Sequence, residues 1–259
     1  MKATLRTSIL GLCALLTSLS AGAEDGRAIM QRAHDRPMGD TRTAEVEMTL
    51  VNKRGRKRVR SLRSYSMDIG KDRKTIMHFL APSDVRGTGF LTWDYDDPAK
   101  ADDKWLYLPA MRKTRRISSA SSKKDYFMGS DFTYDDMGKR NVDEDTHKFL
   151  REEEYQGQPC WVVECTPREK GHLYARREVW VGKETLLPLQ AKFYDKQNKL
   201  QRVLTTGKVV KIDGFWTYEA QTMENVQTGH KTLIRFSKMS FNRPIPEDYF
   251  TVVRLEKGI

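Results

Sequence analysis

Segments in which apolar and polar side chains alternate recur along most of the chain, and this rhythm restricts the fold more than any other feature. In residues 41–51, Ala44, Val46, Met48 and Leu50 fall on one side and Thr43, Glu45, Glu47 and Thr49 on the other. That is the pattern of a strand with one buried face. Asn52-Lys53-Arg54-Gly55 makes a turn, and residues 57–67 return as the partner strand. Further strand candidates follow, among them 74–80, 188–194, 200–212, 215–224 and 230–241, with Asp213-Gly214 and Thr228-Gly229 as turn signals. Residues 24–36 read as a helix with Ile29 and Ala33 on one side and Pro37 as its stop. The C-terminal NRPIPEDYFTVVRL reads as a short helical turn and an edge segment. About eleven strands with few helices define a mainly β (α+β), antiparallel architecture in a single domain.

The first residues have a different character. Lys2 and Arg6 precede an apolar run from Ile9 to Leu19, and Ala21-Gly22-Ala23 supplies a small-residue cleavage site. This is the form of a secretory signal peptide over residues 1–23, and the apolar run is too short for a membrane span. The remaining 236 residues, 24–259, suffice for one large domain with a substantial core. Removing Lys2 and Arg6 leaves 44 Lys+Arg against 35 Asp+Glu, a net charge of +9. A basic exported chain is suited to anionic membranes or acidic partners, and nucleic acid is not expected. Cys160 and Cys165, five apart in one strand, fall on opposite faces about 16 Å apart, so both are expected to stay unpaired.

Catalytic patterns are lacking. The histidines His34, His78, His147, His172 and His230 are scattered with no metal-ligand spacing, and no G-x-S-x-G elbow occurs. Ser130 and Asp131 fit a helix N-cap. The acidic stretch from Asp94 to Asp103 lacks the glycine and glutamate of a calcium loop. No enzyme activity, metal or cofactor is expected.

The densest aromatic block spans residues 79–137. It includes strands at 90–95 and 105–108, a basic turn, a Ser-rich loop and a second aromatic cluster. Alternation puts Leu91, Trp93 and Tyr95 on one face, and that large apolar face is expected to point inward. In residues 105–108 either Leu106 and Leu108 or Trp105 and Tyr107 form the inward pair. The runs FLAPSDVRGTGFLTWDYDD, DDKWLYLP, RKTRRIS and FMGSDFTYDDM resemble the LolA-like outer-membrane lipoprotein-sorting proteins, in that family's order and near its spacing. The match is closer to a branch often found with RND-type exporters than to the lipoprotein carrier itself.

The resemblance implies a strongly curved antiparallel sheet, an open half-barrel of the LolA/LolB type, covering short helices around an apolar cavity. It also implies a periplasmic location in a Gram-negative bacterium and a monomer. Its partners would be lipid or lipoprotein acyl chains, an inner-membrane RND-type exporter and an outer-membrane acceptor. The candidate cavity residues are Leu91, Trp93, Tyr95, Leu106, Leu108, Phe127, Met128 and Phe132. A 16-carbon chain gains roughly 12 kcal/mol on leaving water, so a carrier must offer a comparably dry surface. Residues 125–137 mix aromatics with aspartates and read either as a lid with Gly129 and Gly138 as hinges or as a static cover. The alternative to a carrier is a docking module of an exporter, its inward face being ordinary core.

Arg54, Arg56, Lys57, Arg112 and Arg116 are the candidate contacts to anionic headgroups or an acidic partner in a transient membrane encounter. At about 1 kcal/mol per basic residue near such a surface, binding to anionic vesicles is expected to weaken steeply with salt. Vesicle sedimentation across a salt series measures this, and salt-independent binding or none at low salt would leave these side chains as a solvated face.

Overall fold

In the computed structural model, which describes residues 25–258, the alternating segments pair as an open antiparallel sheet. The expected signal segment lies outside the described residues. Fifteen strands form: β1 (Thr41–Val51), β2 (Lys57–Ile69), β3 (Asp72–Ala81), β4 (Gly89–Asp94), β5 (Asp103–Leu108), β6 (Lys113–Arg116), β7 (Asp145–Tyr155) and β8 (Gln158–Pro167). Then follow β9 (Arg176–Gly182), β10 (Pro188–Tyr194), β11 (Leu200–Thr206), β12 (Val209–Ile212), β13 (Phe215–Tyr218), β14 (Ala220–Asn225) and β15 (His230–Phe241). Thirteen make one curved sheet in the order β6-β5-β4-β3-β2-β1-β15-β14-β11-β10-β9-β8-β7. β6 and β7 are its separate edges, so the half-barrel stays open.

The expectation of about eleven strands is an undercount, and two of the additional strands have a local cause. Residues 200–212 and 215–224, each read as one strand, both break in two. Gly207 N donates to the Ala220 carbonyl at 2.8 Å, and Glu219 N donates to the Lys208 carbonyl at 2.9 Å. Between these bonds β12 and β13 form a separate hairpin.

Helices are few and short. In α1 (Gly26–His34), the Asp25 side chain caps the N-terminus by accepting from Arg27 N at 3.0 Å. Ile29 and Ala33 are its buried side. Gly26 permits the close approach to β7, where an added Cβ would meet Phe149 N at 2.6 Å. α2 (Ser119–Ser122) opens the long crossing segment, and α3 (Val252–Lys257) ends the described chain.

Both faces of the β3–β5 region are covered, and this overturns one expected orientation. β4 is buried at five of its six residues, and a strand buried on both faces loses its alternation signal. Phe90 joins the main core on the concave side with Leu106, Phe127 and Tyr134. Leu91 and Trp93 belong to a second cluster on the opposite face, with Ile76, Ile245, Phe250 and Leu255. The expected C-terminal edge segment is instead a 3-10 turn (Glu247–Phe250) followed by α3, laid over that outer face. Trp93 Nε1 donates to the Phe250 carbonyl at 2.9 Å, and His78 Nε2 lies 3.0 Å from the Leu255 carbonyl oxygen. A third cluster, around Trp180, Cys160 and Leu189, fills the opposite face of the β8–β10 half. Cys160 lies in it, whereas Cys165 lies in the main core, and both thiols are free.

The C-terminal cover is thus a structural element rather than a tail. Leu255 is fully buried and sits where a side chain at Gly89 would collide with it. Leu255→Ala is expected to lower stability by about 2–5 kcal/mol, read from urea unfolding, and an unchanged midpoint would show that the cover contributes little.

Candidate functional site

Residues 117–144 leave the sheet after β6 and cross its concave face before β7 begins. The crossing is locked by hydrogen bonds within it and to both halves of the sheet. Phe127 N donates to the Phe132 carbonyl at 2.7 Å, and Tyr126 bridges Thr133. Arg60 of β2 donates to the Met128 carbonyl at 2.6 Å. Arg202 of β11 donates to the Asp131 carbonyl at 2.9 Å and to Asp136 Oδ2 at 2.7 Å. From β15, His230 Nδ1 and the Thr232 hydroxyl each lie 2.7 Å from Asp131 Oδ2. Phe127 is fully buried against Phe79, Phe90 and Tyr134.

Asp125 is exposed, but Asp131 is buried and Asp135 and Asp136 are half-buried and paired with arginines, so most of the acidic side does not face water as an amphipathic lid would place it. Asp131 is buried and is no helix N-cap; Ser130 Oγ instead accepts from Phe132 N at 3.2 Å within the turn. Gly129, at φ +72°, suits a backbone that disfavours side chains. Gly138 is extended and has a different reason: an added Cβ would meet Asp94 Oδ1 at 2.5 Å. The arrangement fits the static cover.

Where the crossing segment leaves off, the concave face holds a cavity of about 410 Å³, within the range of about 300–1,000 Å³ usual for small-molecule pockets. Its apolar wall includes Met48, Leu62, Val179, Met223 and Ile234 from five strands. Asp94, at the end of β4, also lines it, as do Pro188 at the start of β10 and Phe241 at the end of β15. In an antiparallel sheet these positions share one end, opposite the turn between β1 and β2. The β12–β13 hairpin closes part of that end with Trp216 and Tyr218, and α1 adds Met30 and Ala33.

Charged groups lie along the cavity in two sets. Arg140 reaches Asp135, Glu144 and Asp145 at 2.8–3.0 Å, and Arg177 reaches Asp145 at 2.8 Å. Burial works to raise the Asp145 pKa, but Arg177 and Arg140 outweigh it and hold the carboxyl at about 2. Burial pushes Asp94 up to about 7, with Lys104, 3.9 Å away, opposing it. The second set is Arg36, Arg42 and Arg73. Burial lowers the pKa of each, and for Arg36 the neighbouring positive charges of Arg73 and Arg42 add to that effect while Tyr218 opposes it.

The predicted site residues divide by position. Of the eight cavity candidates only Phe132 lines the cavity. Leu106 and Phe127 are buried in the main core beneath the crossing segment, with Leu108 and Met128 packed against it. Leu106 and Leu108 are thus the inward pair of β5, and Trp105 and Tyr107 pack on the outer cluster. Leu91 and Trp93 point away from the cavity, a correction whose cause is the C-terminal cover. Tyr95 follows β4 in a loop, where its hydroxyl donates to Asp103 Oδ2 at 2.9 Å and Lys100 lies over its ring. Arg54, Arg56 and Lys57 are exposed at the β1–β2 turn, and Arg112 is exposed at the β5–β6 turn on the same end of the sheet. Arg116 lies at the far end of β6, paired with Asp103.

No group of three or more potential metal-ligating side chains occurs among the described residues. His147 Nδ1 lies 3.3 Å from Cys165 Sγ, yet burial pushes that thiol up to about 11, so the pair does not furnish a thiolate at neutral pH.

The open, curved antiparallel sheet is shared with LolA-like proteins. A LolA superfamily protein from Nitrosomonas europaea superposes with a TM-score of 0.69 at 19% identity, over 90% of this chain and 100% of the other. A domain of the outer membrane lipoprotein-sorting type from Vibrio parahaemolyticus is 32% identical, with a TM-score of 0.83 over 89% of this chain and 98% of that one. A DUF1329 family protein from Desulfovibrio piger is 33% identical, with a TM-score of 0.83 over 89% and 97%. A family model described as an uncharacterized protein matches residues 71–257. No curated protein matches the chain. The chain belongs to the DUF1329 family, with a LolA-like fold.

Asp145 gives the site an acid limit. Its folded pKa near 2 lies below the ordinary 3.8, so its contribution of about 2 kcal/mol is present above pH 4 and lost as pH falls toward 2. Asp145→Asn is expected to lower stability at pH 7 and to flatten the acid limb between pH 4 and 2 in denaturation measured across pH. A limb of unchanged slope would assign acid sensitivity elsewhere.

Proposed function

We propose that this protein is a periplasmic carrier that holds the acyl chains of a lipid or lipoprotein in the concave-face cavity and moves them toward the outer membrane. The observation that carries the reading is the 410 Å³ cavity with its apolar wall, set in a LolA-like sheet. The lipoprotein-sorting type of the Vibrio parahaemolyticus relative supports it. In this reading residues 1–23 direct export and residues 24–259 form the binding domain. The basic turns at Arg54, Arg56, Lys57 and Arg112 make a transient contact with a membrane or with an exporter or acceptor protein. They lie at the end of the sheet opposite Arg42 and Arg73, so in this reading surface docking uses a different end from those two cavity arginines. The chemistry is reversible transfer of an apolar chain and involves no bond cleavage.

Native mass spectrometry of the purified protein, together with uptake of a fluorescent fatty acid, tests the carrier. Ala191 is 4% exposed and lines the cavity, so Ala191→Phe is expected to occupy cavity volume and reduce uptake at least about tenfold, a loss of about 1.4 kcal/mol. Retained uptake in this variant would place binding elsewhere. Absence of both co-purifying lipid and uptake in the wild type would favour an exporter's docking module.

A further inference from the structure

The charges along the cavity do not cancel. Of its lining carboxylates, Asp135 is held by Arg140, Asp136 by Arg202, and Asp94 faces Lys104. Among its lining cations, Arg140 and Arg177 are matched by Asp145 and its neighbours, and Arg73 by Asp68 at 3.1 Å. Arg36 and Arg42 make no ion pair with a carboxylate among the described residues. Arg36 Nη1 donates to the Ala33 carbonyl at 2.7 Å, while its Nε is buried without a protein acceptor. Arg42 has only the Met239 sulfur, 3.3 Å from Nη2, and the rings of Phe236 and Phe241; its Nε too is buried without an acceptor. Lys139, at the same end, is also pushed toward its neutral form by burial and by Arg73.

Guanidiniums cannot escape by deprotonating, and a buried charge without a counter-charge is costly. A planar guanidinium fork suits a carboxylate or a phosphate. The apolar wall begins directly beside these forks, at Val46 and Met48 along the same strand as Arg42. The cavity therefore presents one cationic end and one apolar body. A methylene-sized group occupies roughly the volume of a water molecule, about 30 Å³, so about 410 Å³ accommodates on the order of a dozen such groups.

Resting on the carrier reading above, we propose that the cargo is an anionic amphiphile with one apolar chain in the cavity, its carboxylate or phosphate head seated between Arg36 and Arg42. The two arginines then act as specificity residues, and the apolar wall supplies affinity common to charged and neutral chains.

The test is competition against a bound fluorescent fatty acid at pH 7.5, using dodecanoic acid, its methyl ester and dodecyl phosphate. The wild type is expected to bind the acid or the phosphate at least about tenfold more tightly than the ester, a difference of about 1.4 kcal/mol. Whichever anion is preferred identifies a free fatty acid or a phospholipid-type head. The variants Arg36→Met and Arg42→Met, and their combination, are expected to erase that preference while leaving ester affinity within about twofold, because Met keeps most of the side-chain volume. Arg42→Lys is expected to keep part of it. Equal binding of anions and ester by the wild type would overturn the proposal without touching the carrier, and this comparison needs no variant to fold. Equal loss of both ligand classes in the double variant would also overturn it. Failure of all three to displace the probe would remove the carrier reading and the head-group assignment together.

Discussion

Arg202 is fully buried, and the structure around it depends on what it holds. Its guanidinium reaches Asp136 and the Asp131 carbonyl and lies over the ring of Phe193. Burial works to raise the Asp136 pKa, but Arg202 and Thr133 overcome it and keep the carboxyl below its ordinary value. Removing one partner of such a pair costs about 3–5 kcal/mol because the other is left charged and buried. An open half-barrel has a concave face that must be covered, and a single crossing segment does so here. Arg60, Arg202, His230 and Thr232 anchor that segment from strands on both sides of β1.

Covering only part of the concave face creates the functional geometry. Phe127, Phe90 and Tyr134 fill one part with ordinary core. The other part, walled by strands, α1 and the β12–β13 hairpin, remains as the cavity. In the proposed carrier reading, partial cover reconciles two demands: a stable fold and a dry surface for an apolar chain. It also separates the exposed basic turns from the buried arginines, although the two groups look alike in composition.

Much of this was legible from strand alternation. The strands 188–194 and 230–241 occur with those bounds, and the inward series Ala44, Val46, Met48 and Leu50 is buried as read. That same series extends back to Arg42, two residues before Ala44. The cavity-lining rows Arg73–Thr75–Met77 and Arg177–Val179–Val181 begin likewise. An arginine in phase with an inward apolar row was therefore the available signal for the cavity's charged lining, and net charge alone obscured it. Leu91 and Trp93 were misplaced for a different reason: with both faces of β4 buried, alternation cannot tell concave from outer. The unmatched apolar residues Ile245, Phe250 and Leu255 at the C-terminus were the sign that a second surface had to be covered.

The sequence by itself determined an antiparallel, mainly β fold, its turns, the unpaired cysteines on opposite faces and the membership marked by the block 79–137. These follow from local rules, since side chains alternate along a strand and turns demand particular residues. Tertiary structure alone decided which face of β4 looks into the sheet, which aspartates are buried and which arginines lack a carboxylate. Those outcomes depend on contacts between segments far apart in the chain, such as Asp131 with His230 and Leu91 with Leu255. Burial and charge pairing are properties of such meetings, and no local pattern of residues contains them.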